Sequence, residues 1–173
     1  MFRFYALRFT ERLAQRYGEH PAVRLWHVGN ELVAAMPAAT AMFRLRPFGS
    51  GSRPGTDLWS GEPAWGTAFW GHRFGEWAEI LPPRGKHGAP NPGLFLDYER
   101  YSSDALLQHY LAEKAVLNQH SNIPVTTNLM VGPGAQVVDY ARWAPHTDIV
   151  ANDHYTLVDD PDRAQELACA ATA

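Results

Sequence analysis

The chain has 173 residues, 46 % of them hydrophobic and 19 % charged, with a net charge of −3, which suits one compact domain or part of a larger one. So slight an acidic balance gives no reason to expect nucleic acid or an anionic membrane as partner, and no run approaches the roughly 18 consecutive apolar residues of a membrane span. A single cysteine, Cys169, excludes a disulfide framework or a multi-cysteine metal site in these residues.

In chain order, the first segment reads as a helix. Ala6, Leu7, Leu13 and Ala14 are apolar at helical spacing, Arg8, Glu11, Arg12 and Arg16 are polar, and Gly18 stops it. The start is short and interrupted by arginine, a poor signal peptide, so a cytoplasmic location is expected. After His20-Pro21 comes an apolar run, Ala22 to Val28, ending at Gly29-Asn30-Glu31, which predicts a strand buried on both faces. Residues 33–63 are rich in Ala, Gly, Pro and Ser without a clear period, and 64–92 reads as loop holding Trp65, Trp70 and Trp77.

A second helix is expected from about Ser103 to Gln119, capped by Ser102 or Ser103, with Asp104 in its first turn. Pro124 to Met130 follows as a β-branched strand. A short amphipathic piece, Val138 to Trp143, leads to a last strand, Asp148 to Asn152. Helices alternating with buried strands predict an α/β fold with a parallel sheet, and both a (β/α)8 barrel and a doubly wound open sheet fit. Each strand ends in polar residues: Asn30-Glu31, Asn128, and Asn152-Asp153-His154-Tyr155. In either fold the C-terminal strand ends carry the site. Gly132-Pro133-Gly134 lacks the spacing of a phosphate loop, which weakens a nucleotide-binding reading.

Glu31 is the residue with the most chemical promise. A glutamate at a strand end can act as the proton donor of a glycosidase, and the asparagine before it can hydrogen-bond a sugar 2-hydroxyl. The aromatic content of 12 % fits a carbohydrate site, because ring faces pack on sugar C–H groups. An isolated Asn-Glu pair is more often a cap or a surface pair. Here the surrounding segments add weight. Leu13 to Val23 and Leu25 to Leu32 resemble the acid/base region of family 42 β-galactosidases. The similarity resumes at Ala64-Trp65-Gly66-Thr67-Ala68-Phe69-Trp70 and runs through Ile80-Leu81-Pro82-Pro83 and Phe95 to Asp104. It continues through Pro124 to Met130, Trp143-Ala144-Pro145 and Val150 to Tyr155.

The resemblance implies a retaining hydrolase of terminal β-D-galactosyl residues on a TIM barrel, without an organic cofactor. The chain then reads as a fragment, residues 1–173, of the catalytic barrel domain, covering about the fourth to sixth β/α units. Glu31 matches the acid/base, Asn30 the residue contacting the galactose 2-hydroxyl, Trp70 a subsite tryptophan and Tyr155 a tyrosine near the nucleophile. Asp153 and His154 are expected to be structural hydrogen-bonders. No other carboxylate matches the motif of the nucleophile, so the fragment alone is expected to be inactive, and an intact parent is expected to form a homo-oligomer. A non-hydrolytic carbohydrate-binding module is the alternative, and a small flavodoxin-like domain with another ligand is a third reading.

Residues 33–63 do not resemble the family, and they are expected to be irregular or disordered. With suitable codons, a one-base shift after Val33 would read Gly-Cys-His-Ala-Arg-Cys-Tyr-Cys, which resembles the cysteine cluster of many members. In some members those cysteines bind zinc; without them no metal site is expected here. Resequencing the gene across this stretch is expected to reveal two compensating frame shifts, the second before Ala64. A frame confirmed as it stands would overturn the out-of-frame reading.

Overall fold

The computed structural model describes residues 2–32, 65–73, 80, 91–130 and 138–153, so the segment 33–63 and Tyr155 lie outside the described residues. Helix α1 spans Phe2–Tyr17 and helix α2 Pro92–Leu117. Strand β1 is Trp26–His27, β2 is Val125–Thr126, β3 is Asn128–Met130 and β4 is Ala151–Asp153. A short helix α3, Tyr140–Trp143, runs into a 3-10 turn at Ala144–His146 before β4.

α1 forms over a stretch free of glycine and proline, with Arg16 in the last turn opposing the helix dipole. It ends where expected, at Gly18, whose N–H donates to Ala14 O at 2.7 Å. Only glycine fits there: a Cβ would meet the His120 carbonyl oxygen at 2.3 Å and Ala14 O at 2.6 Å. α1 packs along α2 in the same direction, since Phe2 stacks at a tilt on His109 (5.6 Å) and Thr10 Oγ1 donates to Glu113 (3.0 Å). The order of partners along the two helices rises together, as in successive units of a parallel α/β fold.

α2 corrects the expected helix start. It begins eleven residues before Ser103, at Pro92, with Asn91 as N-cap accepting from Leu94 N at 3.0 Å. Proline at the first position needs no N–H partner and has its φ already set, so Asn91-Pro92 is the stronger start signal. Ser102 and Ser103 are instead buried within α2, and Ser103 Oγ accepts from Asp139 N (2.9 Å) and Trp143 Nε1 (3.2 Å).

β1 pairs in parallel with β2, Trp26 opposite Val125, and β3 pairs in parallel with β4, Asn128 opposite Ala151. The two neighbours take opposite edges of the run from Val125 to Met130. Pro124 O and Thr126 O accept from Trp26 N and Val28 N, whereas the intervening Val125 O accepts from Asp148 N. Successive carbonyls of a strand point to opposite sides, so β1 and the approach to β4 flank a middle strand. With α2 between β1 and β2, and α3 between β3 and β4, the described residues make consecutive parallel β/α units; they do not close into a barrel.

The middle strand is buried on both faces at Val125, Thr126 and Thr127, as its β-branched sequence predicts. β1 is not. Leu25 is 42 % exposed, and only Val28 of the expected Ala22 to Val28 strand is buried, because β1 pairs only with β2 among the described strands. The core lies between the strands and α2, where Leu106, Leu107, Tyr110 and Leu117 meet Val28, Val125, Leu129 and Trp143. No described helix is long and apolar enough to cross a membrane.

At the N-terminal ends of the strands, the turns leading into β1 and β2 are joined by one hydroxyl. Ser121 Oγ donates to Gly18 O (2.9 Å) and accepts from Trp26 Nε1 (3.0 Å) and Ile123 N (3.2 Å). Ser121→Ala therefore strands several buried polar groups and is expected to lower the unfolding free energy by about 1–3 kcal/mol in urea titration. A change near zero would show that the turns hold without this hydroxyl.

Two carboxylates add a pH dependence. The hydrogen bond to His109 holds Glu113 below the ordinary glutamate range against its desolvation, with Thr10 assisting. Lys114, and then the Val125 N–H, hold Asp148 below the ordinary aspartate range. Both pKa values are lower folded than unfolded, so their stabilisation is complete above the unfolded values and is lost as pH falls through the folded ones. Urea midpoints measured from about pH 5 down to about pH 2 should fall, and less steeply in Asp148→Asn. An identical slope in that variant would remove Asp148 from the acid response.

Candidate active site

Residues from β3, β4 and the turn after β1 meet toward the end of the strands opposite the Ser121 turns. After His27 the chain makes one more ladder contact, Val28 N to Thr126 O at 2.9 Å, and then turns out of the sheet. The turn uses two left-handed residues, Gly29 at φ 69° and Glu31 at φ 47°, on either side of Asn30. Glycine takes that conformation freely; for Glu31 it costs about 1–2 kcal/mol, because its Cβ crowds the following carbonyl. A Cβ on Gly29 would also lie 2.8 Å from Leu32 Cδ2, which that side chain would have to turn aside to admit.

A side chain from the neighbouring strand holds the turn in place. The Glu31 N–H donates to Asn128 Oδ1 at 2.8 Å. Asn128 Nδ2 in turn donates to Asp153 Oδ2 at 2.5 Å, on the last residue of β4. The last residue of β4, the first residue of β3 and the turn after β1 are thus tied in sequence, carboxylate to amide to peptide N–H. Opposite Asp153, Tyr140 donates its hydroxyl to Met130 O. Burial, and after it the negative charge of Asp153, raise the Tyr140 pKa above the ordinary tyrosine value.

The residues singled out from the sequence fall in separate places. Asn30 is exposed on the turn and Glu31 is half-buried beside it. Trp70 is 39 % exposed and sits on another turn, residues 65–73, edge-on to Phe69 at 5.1 Å. That turn is fastened to the start of α2: Asn91 Nδ2 donates to Trp65 O (2.8 Å) and Trp65 Nε1 to Asp97 (2.9 Å). Asn128 was visible in the sequence only as a polar strand end; its tie to Glu31 needs the register of β1 against the middle strand. Among the described residues no group of three or more His, Cys, Asp or Glu side chains is placed to hold a metal ion.

Chemically, the turn offers one carboxylic acid beside an exposed amide at the mouth of a parallel sheet. A half-buried glutamate can deliver a proton to a leaving oxygen, and Asn30 can bond a neighbouring hydroxyl.

Comparison with known proteins gives the same class. Residues 1–172 match the family model described as β-galactosidase. A β-galactosidase of Arthrobacter sp is 41 % identical over 99 % of this chain, and β-galactosidase BbgII of Bifidobacterium bifidum is 40 % identical over 90 %. The crystal structure of the β-galactosidase from Bacillus circulans sp. alkalophilus superposes with a TM-score of 0.72 at 32 % identity, covering 96 % of this chain. The chain spans 25 % of the Arthrobacter relative and 25 % of the Bacillus circulans chain.

The strained backbone at Glu31 makes a prediction independent of any activity. Glu31→Gly removes the Cβ clash and is expected to raise the unfolding free energy by up to about 1 kcal/mol, the gain being reduced by the greater freedom of glycine when unfolded. Urea denaturation decides it. A loss of the same size would mean that the glutamate side chain contributes more to the fold than its backbone costs.

Proposed function

Because the chain belongs to the β-galactosidase family of glycoside hydrolases, family 42, we propose that it carries the proton-donor part of a retaining β-galactosidase site, with Glu31 as the acid/base. The observation that supports this best is the placing of Glu31 on a strained, braced turn at the C-terminal end of a parallel strand, the end that presents groups to substrate in barrels of this kind. The segment is proposed to form about the fourth to sixth β/α units of a TIM barrel.

In this reading Asn30 bonds the galactose 2-hydroxyl, while Trp70 and Tyr155 border the sugar. Glu31 gives its proton to the glycosidic oxygen as the bond to the anomeric carbon breaks, and later takes a proton from the attacking water. A retaining enzyme also needs a second carboxylate about 5–5.5 Å away to attack the anomeric carbon. None of the other carboxylates in these residues stands in the motif of that nucleophile, and Asp153 already accepts from Asn128. The proposed chain therefore supplies proton transfer and sugar contacts but hydrolyses little by itself. The comparisons favour a hydrolase over a free-standing carbohydrate-binding module.

The test is a graft. Residues 1–32 and 64–172 replace the matching segments of the Arthrobacter β-galactosidase, which keeps its own sequence between them. The graft is expected to hydrolyse aryl β-galactosides, and Glu31→Gln to lower kcat by about 10²–10⁴, less for good leaving groups that need no proton. An active graft indifferent to Glu31→Gln would remove Glu31 from the chemistry.

A further inference from the structure

We propose that Asn128, braced by Asp153, is a positioning residue for Glu31: it holds the left-handed backbone from which the proton donor projects. The inference rests on reading Glu31 as that donor. Glu31 occupies a backbone region that L-residues avoid, three residues after the last ladder contact of β1 at Val28. Such a conformation persists only where the surroundings over-determine it. The hydrogen bond at this peptide comes from the neighbouring strand, the 2.8 Å contact from Glu31 N–H to Asn128 Oδ1.

An asparagine amide could present either end to that N–H. Its oxygen accepts only if its NH2 group is turned away, and Asp153 fixes that choice. The carboxylate can only accept when ionised, so it draws the NH2 group to itself and leaves the oxygen for Glu31. Charge assistance makes this the stronger of the two bonds. Asn128 and Asp153 lie on β3 and β4, whose pairing of Asn128 with Ala151 and Met130 with Asp153 holds the two side chains in register. Asp153 is therefore an orienting group at one remove from the donor. Its role is distinct from that of the nucleophile.

The experiment uses the whole 173-residue chain, labelled with ¹⁵N, and follows hydrogen exchange of the Glu31 amide. Trp26 and Val28 amides, bonded to Pro124 O and Thr126 O, report in the same spectra that the sheet is intact. Asn128→Ala is expected to speed Glu31 exchange at least tenfold while Trp26 and Val28 keep their rates. Asp153→Ala is expected to do so by several-fold, and Asp153→Asn, which still offers an oxygen to Asn128, to restore most of the protection. Should an alanine variant fail to fold, the near-isosteric Asn128→Leu serves: it offers the Glu31 N–H no acceptor, and Glu31 exchange should again rise.

If Glu31 exchange is indifferent to the Asn128 substitutions, the tie is overturned. If it responds to Asn128 but not to Asp153→Ala, the bracing role of Asp153 is overturned. The exchange rates do not depend on turnover. A failed galactoside graft with the expected exchange pattern would thus count against the catalytic reading and in favour of the tie.

Discussion

The peptide group of Val125 is the constraint on which the described structure depends. It is fully buried, and a buried peptide without partners would cost several kcal/mol, on the order of a small domain's whole stability. Its carbonyl accepts from Asp148 N at 3.1 Å and from the Tyr110 hydroxyl at 3.2 Å, while its N–H donates to Asp148 Oδ2 at 2.8 Å. Asp148 in turn holds Lys114 at 2.5 Å, so one residue of the middle strand is connected to α2 and to the chain entering β4. Burial, and then the nearby Asp148 charge, push the Tyr110 hydroxyl up to about 12, which keeps it a donor at any physiological pH.

Once Val125 is fixed, the rest of the strand follows by register. Val125 and Leu129 turn to the helix side, where the core cluster lies, and period-two alternation puts Thr126 and Asn128 on the other face. Thr126 Oγ1 donates to Ile149 O at 2.6 Å on that face, and two residues further along the strand Asn128 reaches both Asp153 and Glu31. The bottom of the sheet, with its Ser121 junction, sets strand order; the top inherits from it the separation of the three polar ends. The Ser121 junction and the proposed site thus sit at opposite ends of the same strands, as the barrel and open-sheet folds both arrange stability and chemistry.

Much of this could be read from residues alone, and the failures have physical reasons. The stop at Gly18, the middle strand from Val125 and the strand-end position of Glu31 came from local signals that the tertiary structure leaves unchanged. The start of α2 was misplaced because Ser102-Ser103-Asp104 imitates a cap, while Asn91-Pro92 stood in a stretch read as loop. The burial of β1 was overstated because an apolar run does not reveal how many of its edges are paired. The turn at Glu31 was out of reach for another reason. A left-handed glutamate has no sequence signature, and what holds it is a side chain 97 positions away. Ser121 was missed for a similar reason: its partners Gly18 and Trp26 lie far off in the chain.

The contact of Gly18 with the His120 carbonyl bears on how this sequence can drift. Every single-base change in a glycine codon that is not silent gives either a stop or a residue with a Cβ, and a Cβ here would fall 2.3 Å from a backbone oxygen. That oxygen belongs to the main chain, so no rotamer can move it aside. The position therefore has no neutral amino-acid replacement one base away. Exposed α1 positions such as Phe4 and Phe9 can wander without disturbing a described contact of this kind, whereas Gly18 can change only if the turn at His120 is rebuilt in the same lineage.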